Sequence, residues 1–248
     1  MPPLIRPSTI LVPAGNGIFA DRCYQPTQPI CFYDGKPVQP GSVITEPEPD
    51  YIIGAAHSDY PSLVGNRTPT SSEGVAQLIN DGASPQFDLH LEGFGDLELT
   101  EQVRHVARVM STYLKDSLSR CNVAPCAPPP SSIITHWYGA SKPIATGAEL
   151  FLSYGSHYWL SWHLRRLPAE NTHPWTKALR AAQAMYSSVY DDILLAYQES
   201  GLGPDVAVPV VQMLSWSRIG SLLRSITLDD HDQVVWSVDD DAAEPMEC

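Results

Sequence analysis

Residues 149–159 read ELFLSYGSHYW: an acidic residue, a short apolar run, a tyrosine followed at once by glycine, and then a second aromatic pair. A run of this kind reads as a short strand that stops at Gly155, since glycine supplies the backbone freedom a sharp turn needs. Taken alone, Tyr154, Tyr158 and Trp159 are core aromatics. Their meaning depends on what precedes them.

Immediately upstream, SIITHWYGA has strand character and is joined to ELFLSYG by the turn-like SKPIATGA. The first 85 residues carry further short β-branched runs, TILVP, PICFY, GSVIT and DYIIGAA, separated by Pro and Gly. Between these regions the period changes. Val103, Val106, Met110, Tyr113, Leu114 and Leu118 recur at three- and four-residue steps, which predicts a helix over 98–120 with Thr100 as its N-cap. CNVAPCAPPPSS at 121–132 is predicted to be a loop, because proline removes donors and clashes with helical geometry. In the final third, Trp175, Leu179, Ala182, Tyr186, Val189, Ile193 and Tyr197 form a helical stripe between Thr172 and Gly201. A second helix is expected over about 206–226, with Pro209 in its first turns. The stripe reads as core packing.

Composition limits the function classes. Of 248 residues, 43% are hydrophobic and 17% charged, as in a folded domain of substantial core. No apolar run reaches a membrane span and no secretory leader is evident, so a soluble, intracellular protein is expected. The sequon Asn66-Arg67-Thr68 carries little weight in that setting. Cys23, Cys31, Cys121, Cys126 and Cys248 lack C-x-x-C spacing. Neither a disulfide framework nor a zinc knuckle follows, and reduced thiols are expected; only a Cys/His site gathered from distant segments stays open. His57, His136, His157 and His163 show no ligand spacing either.

The net charge is -13, and residues 229–248 hold eight acidic residues with no Lys or Arg. This end is expected to be a solvated acidic tail. An acidic surface opposes direct binding of nucleic acid and suits a cationic peptide. AGNGIFA at 14–20 lacks the third glycine and following helix of a dinucleotide fingerprint, and no Gly-Lys-Ser/Thr phosphate loop occurs.

The order of four segments is more specific than any one of them: GNGIFA at 15–20, ICFYDGKPV at 30–38, GVAQLINDGASP at 74–85 and SKPIATGAELFLSYGSHYW at 141–159. This succession, with the I-x-x-G-x-E-L element from Ile144 to Leu150, resembles the SET-domain protein lysine methyltransferases over about residues 10–160. The resemblance implies an α+β, β-rich SET-like fold of short strands over 1–160 with a helical insertion at 87–130, a helical C-terminal extension over 161–228 and the acidic tail beyond. It implies S-adenosylmethionine as cofactor and a lysine side chain as methyl acceptor. Histone tails lead as the basic protein substrate, and the nucleus is favoured over the cytoplasm.

Residue by residue, Gly15 and Gly17 match the cofactor hairpin, with Asn16 between them lining the pocket. Tyr33 would line the lysine channel with a catalytic role, and Tyr51 would touch cofactor. Asn80 would bind its methionine part and Asp81 its adenine through the backbone. Tyr154 matches the catalytic tyrosine, Tyr158 covers the cofactor, and Trp159 stands at the channel mouth. Leu152, two residues before Tyr154, has no hydroxyl to anchor a water beside the amine, which favours more than one methyl transfer. Asp81 stands where the family has histidine, Gln77 where it has arginine and Gly82-Ala83 where it has Ser-Cys, and the cysteine-rich zinc segment is missing. The same resemblance admits a module that has lost turnover and binds a peptide or protein partner.

Overall fold

The computed structural model describes residues 2–10, 15–38, 52–53, 62–66, 68–130, 132, 134, 136–168, 173–200, 204–230 and 233–238. The chain is mixed α+β, with short, mainly antiparallel strands and four α-helices among these residues. It divides into two compact units, Met1–Gly82 with Ser119–Ser153, and Ala83–Leu118 with Tyr154–Cys248. The expected boundary at residue 160 falls inside a helix, Gly155–Arg166, and the units part at 153/154 instead.

The first unit is built from small sheets. β1 (Leu4–Pro7) pairs antiparallel with β2 (Asn16–Phe19), β2 being buried along Gly17–Phe19 while β1 is exposed throughout. β3 (Pro29–Phe32) comes next, then β4 (Gly35–Pro37), β5 (Ile52–Ile53), β6 (Leu63–Gly65) and β7 (Asn80–Asp81). β6 pairs with both β4 and β5. TILVP contributes no described strand: Thr9 and Ile10 lie in a bend, and its last three residues, like GSVIT, Tyr51 and most of DYIIGAA, lie outside the described residues.

Past the helix that follows β7 in the chain come β8 (Val123–Cys126), β9 (Trp137–Ala140) and β10 (Phe151–Leu152). The expected loop at 121–132 thus contains a strand. Pro125 is tolerated because β8 is the outer strand of a sheet ordered β3-β9-β8, where a missing N–H removes no ladder bond on the solvent side. Ile18, Tyr24, Ile30, Cys31, Ile79, Val123, Tyr138, Ile144 and Leu150 fill this unit's core.

The second unit is helical. α1 (Leu99–Arg120) carries the expected apolar stripe, with Val103, Val106, Met110, Tyr113 and Leu114 all buried. Thr100 is not its cap. The residue lies within the helix, and its hydroxyl accepts from the Ile226 N–H at 3.2 Å. α2 (Gly155–Arg166), α3 (Pro174–Glu199) and α4 (Pro204–Leu222) follow. α3 starts with Pro174 at its first position and buries Trp175, Leu179, Ala182 and Tyr186; Thr172 and Gly201, expected to bound it, lie outside the described residues.

Two expectations fail at the C-terminal end. Residues 223–226 are not helical, because β11 (Leu223–Leu228) begins there, and β12 (Val234–Val238) lies inside the segment read as a solvated tail. The two form an antiparallel hairpin. VVWSV, rich in β-branched and aromatic residues, outweighs the charge of the acidic residues on either side of it.

The core of this unit is aromatic at its centre. Trp175 stacks on Phe94 at 3.9 Å, Phe87 meets Trp175 edge-on, and His163 lies 4.8 Å from the Phe87 ring at 86°. His163 is 8% exposed, and neither ring nitrogen has a hydrogen-bond partner among the described residues. Burial first, and the nearby Arg166 charge second, lower its pKa from 6.5 to about 4. The unfolded chain takes up this proton near pH 6.5 and the folded chain only near pH 4, so stability is complete above pH 6.5 and declines as pH falls between the two. The span corresponds to a loss of about 3 kcal/mol. Urea unfolding of wild type and His163→Leu at pH 7.5 and 4.5 is expected to show a smaller acid loss in the variant; equal losses would contradict the assignment.

Candidate functional site

In the first unit, a single carboxylate gathers three distant segments. Glu149, 6% exposed, accepts at Oε1 from the Ser8 hydroxyl at 2.6 Å and at Oε2 from the Thr9 N–H at 2.7 Å and the Thr9 hydroxyl at 2.5 Å. Asn80 Nδ2 donates to the same Oε1 at 3.4 Å and to the Asn16 carbonyl at 3.2 Å. Both oxygens are therefore satisfied, as a buried carboxylate requires.

Gly17 owes its identity to this arrangement. A β-carbon there would overlap the Glu149 carboxylate and come within 3.2 Å of Asn80 Nδ2. Gly15 is different: its φ of 58° demands glycine, yet the space where a side chain would stand is open. Its carbonyl accepts from the Ser8 N–H at 3.0 Å, next to the last pair of the β1–β2 register, Pro7 and Asn16.

The 149–152 segment is held on its other side. β10 runs parallel to β7, with Phe151 opposite Asn80 and Leu152 opposite Asp81. Asn122 then acts as a substitute strand: its Nδ2 donates to the Glu149 carbonyl at 2.9 Å, and its Oδ1 accepts from the Phe151 N–H at 2.8 Å. Asp81 is 5% exposed, and Leu152 is half-buried against the core. Tyr33 is 9% exposed and packs within that core, its hydroxyl beside Gly65. Tyr51 lies outside the described residues.

The remaining expected residues belong to the second unit. Tyr154 precedes α2, and Gly155, with φ of 81°, makes the turn into it. Tyr158 and Trp159 follow on the first turns, and the three half-buried rings touch. Tyr154 and Tyr158 are 4.6 Å apart at 74°, Tyr158 and Trp159 5.2 Å apart at 86°, and Tyr154 and Trp159 6.2 Å apart at only 22°. Two near-parallel rings with a third perpendicular to both form a π-rich surface of the kind that suits an alkyl-amine stem. Trp162 extends it, with the Arg166 guanidinium 3.6 Å over its ring.

Thus Asn16, Gly17, Asn80, Asp81 and Leu152 come together in one unit, and Tyr154, Tyr158 and Trp159 in the other. Glu149, Ser8, Thr9 and Asn122 are not among the residues expected from the sequence, although Glu149 is the acidic residue of I-x-x-G-x-E-L. A cleft of about 80 Å³ in the second unit, lined by residues that include Met185, Val189, Ile219 and Trp236, contains none of the expected residues. Among the described residues, no three His, Cys, Asp or Glu side chains gather as a metal would require. No family model matches the chain, and no curated protein matches it.

The tie between Gly17 and Glu149 is testable. Gly17→Ala should cost about 1–3 kcal/mol in denaturant unfolding through overpacking. In a Glu149→Ala background most of that cost should vanish, and strict additivity of the two changes would show that the overlap is not its cause.

Proposed function

We propose that the protein is an S-adenosylmethionine-dependent protein-lysine N-methyltransferase with a SET-like catalytic architecture. The observation that carries the reading is the junction of Asn16-Gly17, Asn80-Asp81 and Glu149–Leu152, three of the segments on which the resemblance rests, through the Asn80 amide, Glu149 and the β7–β10 pairing. Their chemistry fits the amino-acid end of the cofactor. Asn80 engages the hairpin and Glu149 through Nδ2, so its Oδ1 would accept from an ammonium, and the open space at Gly15 with the exposed Asn16 leaves room at the hairpin.

Bound S-adenosylmethionine supplies an electrophilic methyl on a sulfonium. The chain must then present a neutral amine in line with it and keep water away. Lysine is ordinarily protonated below about pH 10.4, and an apolar, π-lined wall disfavours the ammonium. Tyr158 and Trp159 would supply such a wall on this reading, and the Tyr154 phenol would orient the amine, accepting or donating as the amine's protonation demands. No strong base is needed, because the amine loses its proton to solvent before it is enclosed. Leu152 offers no hydroxyl to hold a water, which favours successive transfers.

The net charge of -13 suits a basic protein or peptide substrate, and histone tails are the leading class. A nuclear site of action would follow from that substrate. A second reading, a SET-like module without turnover that binds a peptide, draws support from Tyr33, whose burial in the core leaves it little access to a substrate channel.

Labelled-methyl transfer to histones and cell lysate separates the readings. Wild type is expected to transfer label and Tyr154→Phe to lose about 100-fold in rate, while Asn80→Ala weakens cofactor binding about tenfold, the worth of one good hydrogen bond. Mass spectra under excess cofactor should extend beyond the monomethyl product. Cofactor binding without transfer to any protein would leave the module reading in place.

A further inference from the structure

Tyr154 occupies a position that its side chain serves poorly. It is the residue before the first turn of α2, where Ser, Thr, Asp or Asn would ordinarily accept a hydrogen bond from the helix, and it makes no such bond. The first N–H groups of a helix have no partner within it, and here the backbone enters through Gly155 in a left-handed conformation. A tyrosine kept at such a place against local preference needs the turn to be held from outside.

The holding groups come from two other helices of the same unit. The Tyr113 hydroxyl of α1, 2% exposed, accepts from the Gly155 N–H at 3.1 Å and so satisfies one of the N–H groups that the helix start leaves without an intrahelical partner. The Tyr113 ring also meets Trp159 at 6.1 Å and 71°, so one side chain braces both the start of α2 and its first aromatic turn. On the next residue, the fully buried Ser156 hydroxyl accepts from the Trp216 indole N–H of α4 at 2.5 Å. Trp216 is itself fully buried and stacked on Tyr186 of α3 at 5.0 Å and 6°. Above Gly155 sits the Gln212 amide, 3.2 Å from where a β-carbon would stand.

We infer that Tyr113 and Trp216 are positioning residues that set the angle and depth of the Tyr154 ring by capping and anchoring the first turn of α2 from α1 and α4. The inference rests on the proposed role of Tyr154 for its catalytic consequence, but the positioning itself does not. The inserted helix and the C-terminal helices thereby replace the local cap that a tyrosine at this position does not provide.

The test uses the full chain with 3-fluorotyrosine incorporated, the Tyr154 resonance being assigned by its loss in Tyr154→Phe. Tyr113→Phe removes one oxygen and keeps the ring. It should shift or broaden the Tyr154 resonance, speed amide exchange at Gly155, and lower methyl transfer between about ten- and a hundredfold, with cofactor affinity changed less than about threefold. Val106→Ala, a core truncation elsewhere on α1, controls for lost stability and should leave resonance and transfer near wild type at a permissive temperature. Trp216→Phe should reproduce the Tyr113→Phe resonance change in part. An unmoved Tyr154 resonance, or transfer equal to wild type, overturns the inference. A moved resonance in a protein whose wild type transfers no methyl sustains the positioning and removes the methyltransferase reading.

Discussion

The first unit depends on where the Glu149 carboxylate is placed. A buried carboxylate is costly unless its oxygens are met by donors, and here the donors come from residues 8–9 and residue 80, with the 16–17 hairpin pressed against the same group. Satisfying one charged group therefore ties together three segments whose strands are only two to four residues long, adding to the backbone bonds Leu150–Ile18 and Gly82–Leu152 and to the β1–β2 and β7–β10 pairings. The Asn80 turn is oriented as a by-product. So are the open space at Gly15 and the exposed edge of Asn16.

The second unit solves a different problem with different means. Its aromatic residues are fully buried at the centre, at Phe94 and Trp175, and half-buried near Tyr154. At the centre, Phe87 meets both Trp175 and His163 edge-on, Trp159 and Trp162 border the same imidazole, and its burial leaves it neutral over the physiological range. At the edge, Tyr154, Tyr158 and Trp159 remain half-buried, on a helix start that Tyr113 and Trp216 hold from the side.

What could be read from residue order was what repeats along the chain. α1 and α3 followed from apolar residues at three- and four-residue steps, and β3 and β9 from β-branched and aromatic runs. Errors arose where a local rule met a tertiary exception. Pro125 argued against a strand until β8 proved to be an edge, and Thr100 looked like a cap although Ile226, far along the chain, takes its hydroxyl. The acidic end hid the strand VVWSV because charge was averaged over the whole of 229–248. Within the site, Asn80, the hairpin and Tyr154 were legible as motif positions. The groups that secure them, Ser8, Thr9, Asn122 and Tyr113, were not, because each acts on residues distant in sequence through contacts that leave no periodic trace.

The central claim is that the Asn80 turn and the Gly15–Gly17 hairpin receive the cofactor. Ultraviolet cross-linking of methyl-labelled S-adenosylmethionine to the full chain, followed by peptide mapping, tests it most directly. Label is expected on peptides spanning 15–20 or 76–82, competed away by S-adenosylhomocysteine. Label confined to the cleft lined by Met185, Ile219 and Trp236, or no competable label anywhere, would contradict it.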